Sequence, residues 1–486
     1  MFYLSRIAAQ TDGMYLLPLV IIISLYVIIW IFREPFNGTI LIFLTIPIGI
    51  PLIGDNIGGM SFFNLRLYDV FTVITFGSLL LAILCRRYPR FAKTSLSLPF
   101  GLYCFANLLS LFNSPYPMDG VRQFVKLLGA NVTMYMVITT TLNSRARLEK
   151  VIKILLVGGI LVCLMGTVQN LVFRFFGINW FFLKSNHRAT ATFAEAGWYA
   201  QYIGLLFAIA LPLYFSKAFK LWKPWLLICI YIYLMVVASE LSRSAYVTTF
   251  VVILAAWALK IGGDRLKSSI KMTAFVVVTL ILASLITSYF VGEMQFVRLH
   301  KPGQMFSPEE ASNAIRVNLA RQTWSHIVEH PVVGQGFGSW GRVMADDFGN
   351  LNARGGSAFN IFLGVLYDGG ILGLIAFALI CYCYLSSCFG AIRSTKDSYN
   401  RTLLHIAILV FVSLFVSSLF HPIWQIAYTW LVIAMGVANV NIVKGERLSE
   451  NRVFTAKLKS GRWEQIANRA GQRSDGTWAR CFHNCS

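Results

Sequence analysis

Charge is what this sequence has least of. Only 13% of its 486 residues are Asp, Glu, Lys or Arg, against about 25% in ordinary globular domains, which excludes a soluble enzyme and a disordered chain. Acidic residues are scarcer still, 21 against 42 Lys and Arg. The apolar stretches are continuous rather than alternating with polar residues, so they do not read as barrel strands. Cysteines are few and badly placed for bridging: Cys85, Cys104, Cys163, Cys229, Cys381, Cys383 and Cys388 fall inside apolar stretches, with Cys481 and Cys485 in the tail. Neither a disulfide framework nor a zinc spacing emerges. No cleavable signal peptide is expected, because the first apolar block, from near Met14, is too long and has no small-residue cleavage site after it.

What the sequence has in abundance is long hydrophobic runs, 57% of its residues being hydrophobic and 14% aromatic. They fall near 14–32, 37–53, 68–85, 96–112, 122–142, 151–175, 197–215, 224–239, 244–260, 272–291, 370–390, 402–420 and 423–443. Each is about the length a helix needs to cross hydrocarbon, roughly 17–25 residues. The expected fold is an all-α integral membrane protein, a bundle of about 12–13 transmembrane helices. The net charge of +21 implies no nucleic-acid partner, since the basic residues gather in short turns between blocks. Arg86, Arg87, Arg90 and Lys93, then Arg145, Arg147 and Lys150, then Lys217, Lys220 and Lys223, then Lys260, Arg265, Lys267 and Lys271, then Arg393, Lys396 and Arg401 share one side if the blocks alternate. The positive-inside rule makes that side cytoplasmic. Pro47 and Pro51 suggest that the second block is kinked or partly inserted, which leaves the side of the N-terminus open.

Three regions follow: a polytopic membrane domain over 1–443, an outward-facing loop over 292–369 inserted within it, and a basic cytoplasmic tail over 444–486, expected to lack order near anionic lipid heads. Loops as long as the second usually carry function. In it Ser307-Pro308-Glu309-Glu310 has the pattern of a capping box, and an amphipathic helix is expected from Glu309 to about Glu329, ended by His330-Pro331. Gly334, Gly336, Gly338 and Gly341 then predict a turn-rich approach to Ser357. Asp346-Asp347 reads as part of a solvated loop rather than a metal site, and Cys381-x-Cys383 as helix packing. Lys126 and Asp368 are the ionisable residues nearest mid-depth of a span, and both can reach an interface.

Arginine is disfavoured on the outward side of a membrane protein, so those found there need an account. Arg188, shortly before a span that Glu195 opens, and Arg243, in a tight hairpin, lead the group; Arg316, Arg321, Arg342 and Arg354 join them. Each alone could anchor a helix end in lipid phosphates by snorkelling. Together they suit a polyanion, because guanidinium grips phosphate bidentately, stays charged and needs no metal. A lipid-linked pyrophosphate fits that description. Trp198, Trp324 and Trp340 are candidates to stack on sugar faces, although outward Trp also belongs to interfacial belts.

The order of short motifs adds a resemblance. Arg188-Ala-Thr-Ala-Thr-Phe193-Ala-Glu195, the Leu241-Ser-Arg243-Ser-Ala hairpin, Arg321-x-x-Trp324, the H-P-V-V-G-Q-G-F-G run from His330, and A-F-N-I-F-L-G-V-L-Y-D-G-G-I-L-G-L from Ala358 resemble the O-antigen ligase and polymerase superfamily of bacterial envelopes. The likeness spans roughly 186–378; the earlier spans resemble the family only in layout, including the polar Leu65-Arg66-Leu67-Tyr68-Asp69 opening of the third span. It implies a metal-independent, inverting glycosyltransferase without a cofactor, in the bacterial cytoplasmic (inner) membrane, using an undecaprenyl-pyrophosphate-linked glycan as donor.

On that resemblance Arg188 and Arg243, with Glu195, are the catalytic candidates, and Arg316, Arg321, Trp324, His330 and Asn360 the substrate-binding ones. One position departs from the pattern: ligases typically carry A-H-N where this chain has Ala358-Phe359-Asn360, and a phenyl ring cannot accept a proton. Glu195, His330 or His187 would then activate the acceptor hydroxyl, or the pyrophosphate leaves readily enough to need little deprotonation. His330 has a simpler alternative role beside the C-terminus of its helix. The preferred reading is a polymerase of lipid-linked repeat units, with membrane lipids, a chain-length regulator and a flippase as candidate partners. A ligase of the same fold and a lipid-linked oligosaccharide transporter are the alternatives.

Overall fold

A computed structural model describes residues 16–49, 51–53, 65–88, 90–178, 189–193, 195–239, 242–261, 270, 273–282, 285, 311–348, 358–420 and 426–459. In order the helices are α1 (Leu16–Arg33), α2 (Pro35–Thr45), α3 (Leu67–Leu84), α4 (Ser97–Ser110), α5 (Pro117–Lys126), α6 (Thr133–Thr141), α7 (Arg145–Phe176), α8 (Ala196–Phe215), α9 (Lys223–Ser239), α10 (Arg243–Ala258) and α11 (Thr273–Leu282). Then come α12 (Ala311–Glu329), α13 (Trp340–Phe348), α14 (Ile361–Ser394), α15 (Ser398–Ser418) and α16 (Ala427–Lys459). A short antiparallel ribbon, β1 (Pro51–Ile53) with β2 (Leu65–Arg66), brings the chain into α3.

Seven described helices are long and apolar enough to cross a membrane, and α1, α2, α10 and α11 are shorter apolar helices. This is an all-α, multi-pass membrane protein. The inner spans are apolar all round: 83% of the α8 span and 78% of the α15 span are buried, against 33% for α3 and α14 at the periphery. In the bundle α8 packs on α9, α10 and α15, α4 on α14, and α2 on α3. Polar groups inside the bundle find each other across helices, as Thr39 with Thr141 (2.8 Å), Ser216 with Thr402 (2.7 Å) and Thr248 with Ser417 (3.1 Å). Such bonds are worth roughly 0.6 kcal/mol on average in membranes, and the alternative is an unsatisfied group.

Termini follow the local sequence. Ser144 caps α7 by accepting from Arg147 N (3.4 Å), Asp397 caps α15 by accepting from Tyr399 N (3.1 Å), and Gly177 closes α7 at φ +64°, a conformation open to glycine. The block 122–142 is not one regular helix: a π-helical turn over Leu127–Val132 separates α5 from α6.

The basic turns converge at one end of the bundle. Arg147 donates to Tyr88 (2.6 Å) and pairs with Glu34 (3.0 Å), Arg145 pairs with Asp397 (3.0 Å), Phe219 stacks on Tyr399, and Tyr399 donates to Glu149. Burial, then the bond to Glu34, pushes the Tyr88 phenol up to about 12. Glu34 lies between α1 and α2, so α1 ends at this basic end and α2 starts from it.

Three features differ from the sequence reading. The span expected from 370 begins at Ile361 and is broken at Gly370 (φ +60°, ψ −156°). The stretch after Gly338 is not wholly turn: Trp340–Phe348 is helical, so Asp346 and Asp347 lie on a helix whose apolar face, Trp340, Val343 and Met344, is buried. Finally α16 continues through 444–459 rather than losing order at Lys444. By internal contacts the chain divides into a unit over Met1–Val440 and a second over Asn441–Ser486.

Candidate functional site

At the end opposite the basic turns, the loop between α12 and α13 is lodged in the break of α14. A helix interrupted at Gly370 frees backbone groups that must find partners. Ile371 N donates to Pro331 O (2.9 Å), Leu372 N to Val332 O (3.3 Å), and Gln335 N to Tyr367 O (2.8 Å). Asp368, buried, accepts from Gly338 N (3.1 Å), while Phe337 N donates to Ser110 and Asn113 donates to Gly334 O from the end of α4. A Cβ on Gly334 would lie 2.7 Å from Gly370 N. The run from His330 and the Y-D-G-G run are therefore each other's structural partners.

The helices flanking this loop form a small core of Leu319, Ile327, Trp340, Val343, Met344, Ala358 and Tyr367. Trp340 is only 3% exposed and its indole N–H donates to Thr323 (2.9 Å), so it is not open to stack on a sugar. Phe359 packs at the edge of this core, its ring 6.4 Å from that of Trp340, with the Arg316 guanidinium 5.7 Å from its centroid. Phe359, the residue that departs from the pattern the resemblance implies, thus lies under a cation.

Arg321 is five residues from Arg316, about 140° around the helix, and is exposed, as are Val317, Trp324 and Val328 on the same side. Arg316 and Arg321 thus do not act on one face. His330 is exposed, its carbonyl accepting from Gly334 N (2.9 Å). Asn360 is the N-cap of α14: its side-chain oxygen accepts from Phe362 N (2.9 Å) and Leu363 N (3.4 Å), and its amide donates to Leu419 O (3.2 Å). This capping occupies the side chain structurally. Arg342 pairs with Asp119 (3.0 Å), lies over the Tyr116 ring (4.5 Å), and sits 3.7 Å from Asp346. The Asp119 bond holds its guanidinium above the usual range, as the Asp346 bond does the Tyr116 phenol. It is a compensated cation, and Arg354 lies outside the described residues.

Arg188 and His187 lie outside the described residues, and Arg243, the first residue of α10, is described by its backbone alone. The segment after Arg188 is held firmly. Buried Gln169 of α7 accepts from Thr190 N (3.2 Å) and Ala191 N (2.8 Å) and donates to Ala191 O (2.9 Å). Thr192 donates to Pro47 O (2.5 Å), and Gly49 N to Thr192 O (3.0 Å). Ala191 has φ +47°, a left-handed conformation that L residues rarely hold and that clusters at functional sites. Phe193 then joins a buried aromatic layer with Tyr202 (5.2 Å) and Tyr428 (6.4 Å). Glu195, exposed, is the N-cap residue of α8 without a side-chain capping bond, and it lies within electrostatic reach of Tyr428.

One ionic cluster was not singled out as a site from the sequence. Arg66 caps α3, its backbone N–H bonded to the Asp69 carboxylate (3.0 Å) and its guanidinium donating to Tyr68 (2.5 Å). Lys126, at the end of α5, interacts electrostatically with both Arg66 and Asp69, and Tyr68 does so with Tyr428. Burial works against the Arg66 charge, but Tyr68 and Asp69 outweigh it and hold the guanidinium above its ordinary range. The visible signal was the charged pair three residues apart in Leu65-Arg66-Leu67-Tyr68-Asp69; the approach of Lys126 is tertiary.

Fold and site together define a multi-pass membrane protein whose non-spanning helical module is locked into a broken span. Residues 227–378, from α9 to just beyond that break, match the family model described as O-Antigen ligase. The chain thus carries an O-antigen ligase-like domain over these residues, as its motifs suggested. No curated protein matches it. The matched region contains Arg243, Arg316, Arg321, Trp324, His330 and Asn360, and leaves out Arg66, Lys126, Arg188 and Glu195.

Proposed function

We propose that the protein polymerises undecaprenyl-pyrophosphate-linked repeat units at the outer face of the bacterial cytoplasmic membrane. The growing glycan leaves its carrier pyrophosphate and joins the acceptor unit, with inversion at the anomeric carbon. The observation that supports the choice is Phe359, which stands where the resemblance leads one to expect the histidine of A-H-N, and which contacts the Trp340 ring and lies under the Arg316 guanidinium. A ring so placed cannot take a proton. The reading gives Arg188 and Arg243 the charge that develops on the departing pyrophosphate, a role guanidinium fills without a divalent ion. Glu195 is the candidate to orient or deprotonate the acceptor hydroxyl, and Arg316 the loop arginine nearest that task.

The second reading, transfer of finished glycan to another acceptor, is favoured by the description of the matched family, O-Antigen ligase. Lipid analysis of a deletion strain separates them. Single repeat units accumulating on the carrier is the result expected; long carrier-linked chains with nothing transferred would assign the ligase reaction.

A further inference from the structure

We propose that Arg66 and Lys126 form a phosphate-binding subsite beside the outer opening of α3, holding the diphosphate of the lipid-linked glycan. This rests on the lipid-linked donor of the reading above. The π-helical turn that follows Lys126 packs against α3, and two cations and one carboxylate, Asp69, lie there within mutual electrostatic reach, an excess of one positive charge among the described residues of the cluster. Such a charge is costly unless an anion joins it.

Several polar atoms of the cluster lack partners among the described residues. Asp69 is only 7% exposed, and one of its oxygens fixes the backbone of Arg66 while the other, buried, has no partner among the described residues. Tyr68 takes one terminal nitrogen of Arg66, and the Arg66 Nε is buried without a partner among the described residues. Lys126 is half-buried, and among the described residues no hydrogen bond occupies its ammonium group. It is also the last residue before the π-helical turn Leu127–Val132, a local widening found often at functional sites. Through Tyr68 and Tyr428 the cluster reaches Glu195, in the same motif as Arg188. Guanidinium and ammonium then supply the two donor types phosphate oxygens accept, the first directional and the second a point charge. Asp69 limits the net charge and orients Arg66.

The test uses full-length protein in phosphatidylcholine nanodiscs, titrated with undecaprenyl diphosphate. Arg66→Gln and Lys126→Gln are each expected to weaken binding about tenfold or more, the loss of a charge-assisted bond, while Arg66→Lys and Lys126→Arg, which keep the charge, lose less than the glutamine variants. Should Arg66→Gln fail to fold, Lys126→Gln carries the test, since it removes no hydrogen bond among the described residues. Wild-type affinity in the glutamine variants overturns the subsite. A second arm adds phosphatidylglycerol: displacement of the diphosphate at matched concentration would assign the cluster to ordinary headgroups and overturn the donor role, and no displacement supports it. Wild-type protein that binds the diphosphate yet never lengthens glycan overturns the polymerase reading and leaves the subsite standing, whereas protein that binds no diphosphate overturns both.

Discussion

Gly370→Ala should be a severely damaging single methyl at the end of the molecule opposite the basic turns. At φ +60° and ψ −156° the residue occupies a region essentially reserved for glycine, which costs about 1–3 kcal/mol for any other residue. The added Cβ would also lie 2.4 Å from Val332 O and 2.6 Å from Gly334 N, backbone atoms that cannot rotate away. Relief requires the loop to withdraw, stretching the bonds from Ile371 N to Pro331 O and from Leu372 N to Val332 O. Each contributes about 0.5–1.5 kcal/mol, so the sum is roughly 2–6 kcal/mol. Gly390, on the same helix, is the control: nothing lies within 4 Å of an added Cβ, and Gly→Ala in a regular helix gains about 1 kcal/mol. Thermal unfolding in detergent, followed by loss of the monodisperse species, should move in opposite directions for the two variants. Equal melting of Gly370→Ala and wild type would refute the idea that this loop is held by the broken span.

Trp340→Ala removes a buried ring and its bond to Thr323, whose hydroxyl still donates to Leu319 O, and should destabilise the protein by about 3–5 kcal/mol in the same assay; a surface role would cost far less. Arg316→Ala should shorten the glycan product and lower the melting temperature, since a desolvated cation–π contact is worth up to about 2 kcal/mol, whereas Arg321→Ala, exposed on the other side of α12, should leave stability unchanged. Product gels and melting curves that rank the two arginines the other way would contradict the assignment of faces. Tyr88 gives a pH prediction. Its folded phenol is raised from 10.0 to about 12, so the folded state holds the proton longer and stability falls as pH rises through that window. Tyr88→Phe should flatten that part of the melting-against-pH curve; an unchanged slope would remove Tyr88 as its source.

Much of the fold was legible because hydrocarbon imposes a simple rule. Helix α12 was expected from Glu309 to about Glu329, and Ala311–Glu329 is helical; His330-Pro331 marks its end locally, while Ser307–Glu310 lies outside the described residues. Helix α13 was not legible: its glycine-rich approach reads as turn, and only packing of Trp340, Val343 and Met344 into the loop core makes it helical. The same tertiary contacts hid the function of the run from His330, which fills a helix break that sequence alone places in mid-span. At the candidate site, Arg316 and Arg321 were interchangeable on paper, and only the position of Phe359 separates their faces. Arg66 and Asp69 advertise a helix start, but Lys126 lies 60 residues further along the chain, and no local pattern links them.

Purified protein supplied only with undecaprenyl-pyrophosphate repeat units tests the central claim most directly. The account predicts a ladder of longer carrier-linked glycans from wild type and none from Arg188→Ala with Arg243→Ala. A ladder of full intensity from that double variant, or glycan transferred solely to a different acceptor, would contradict it.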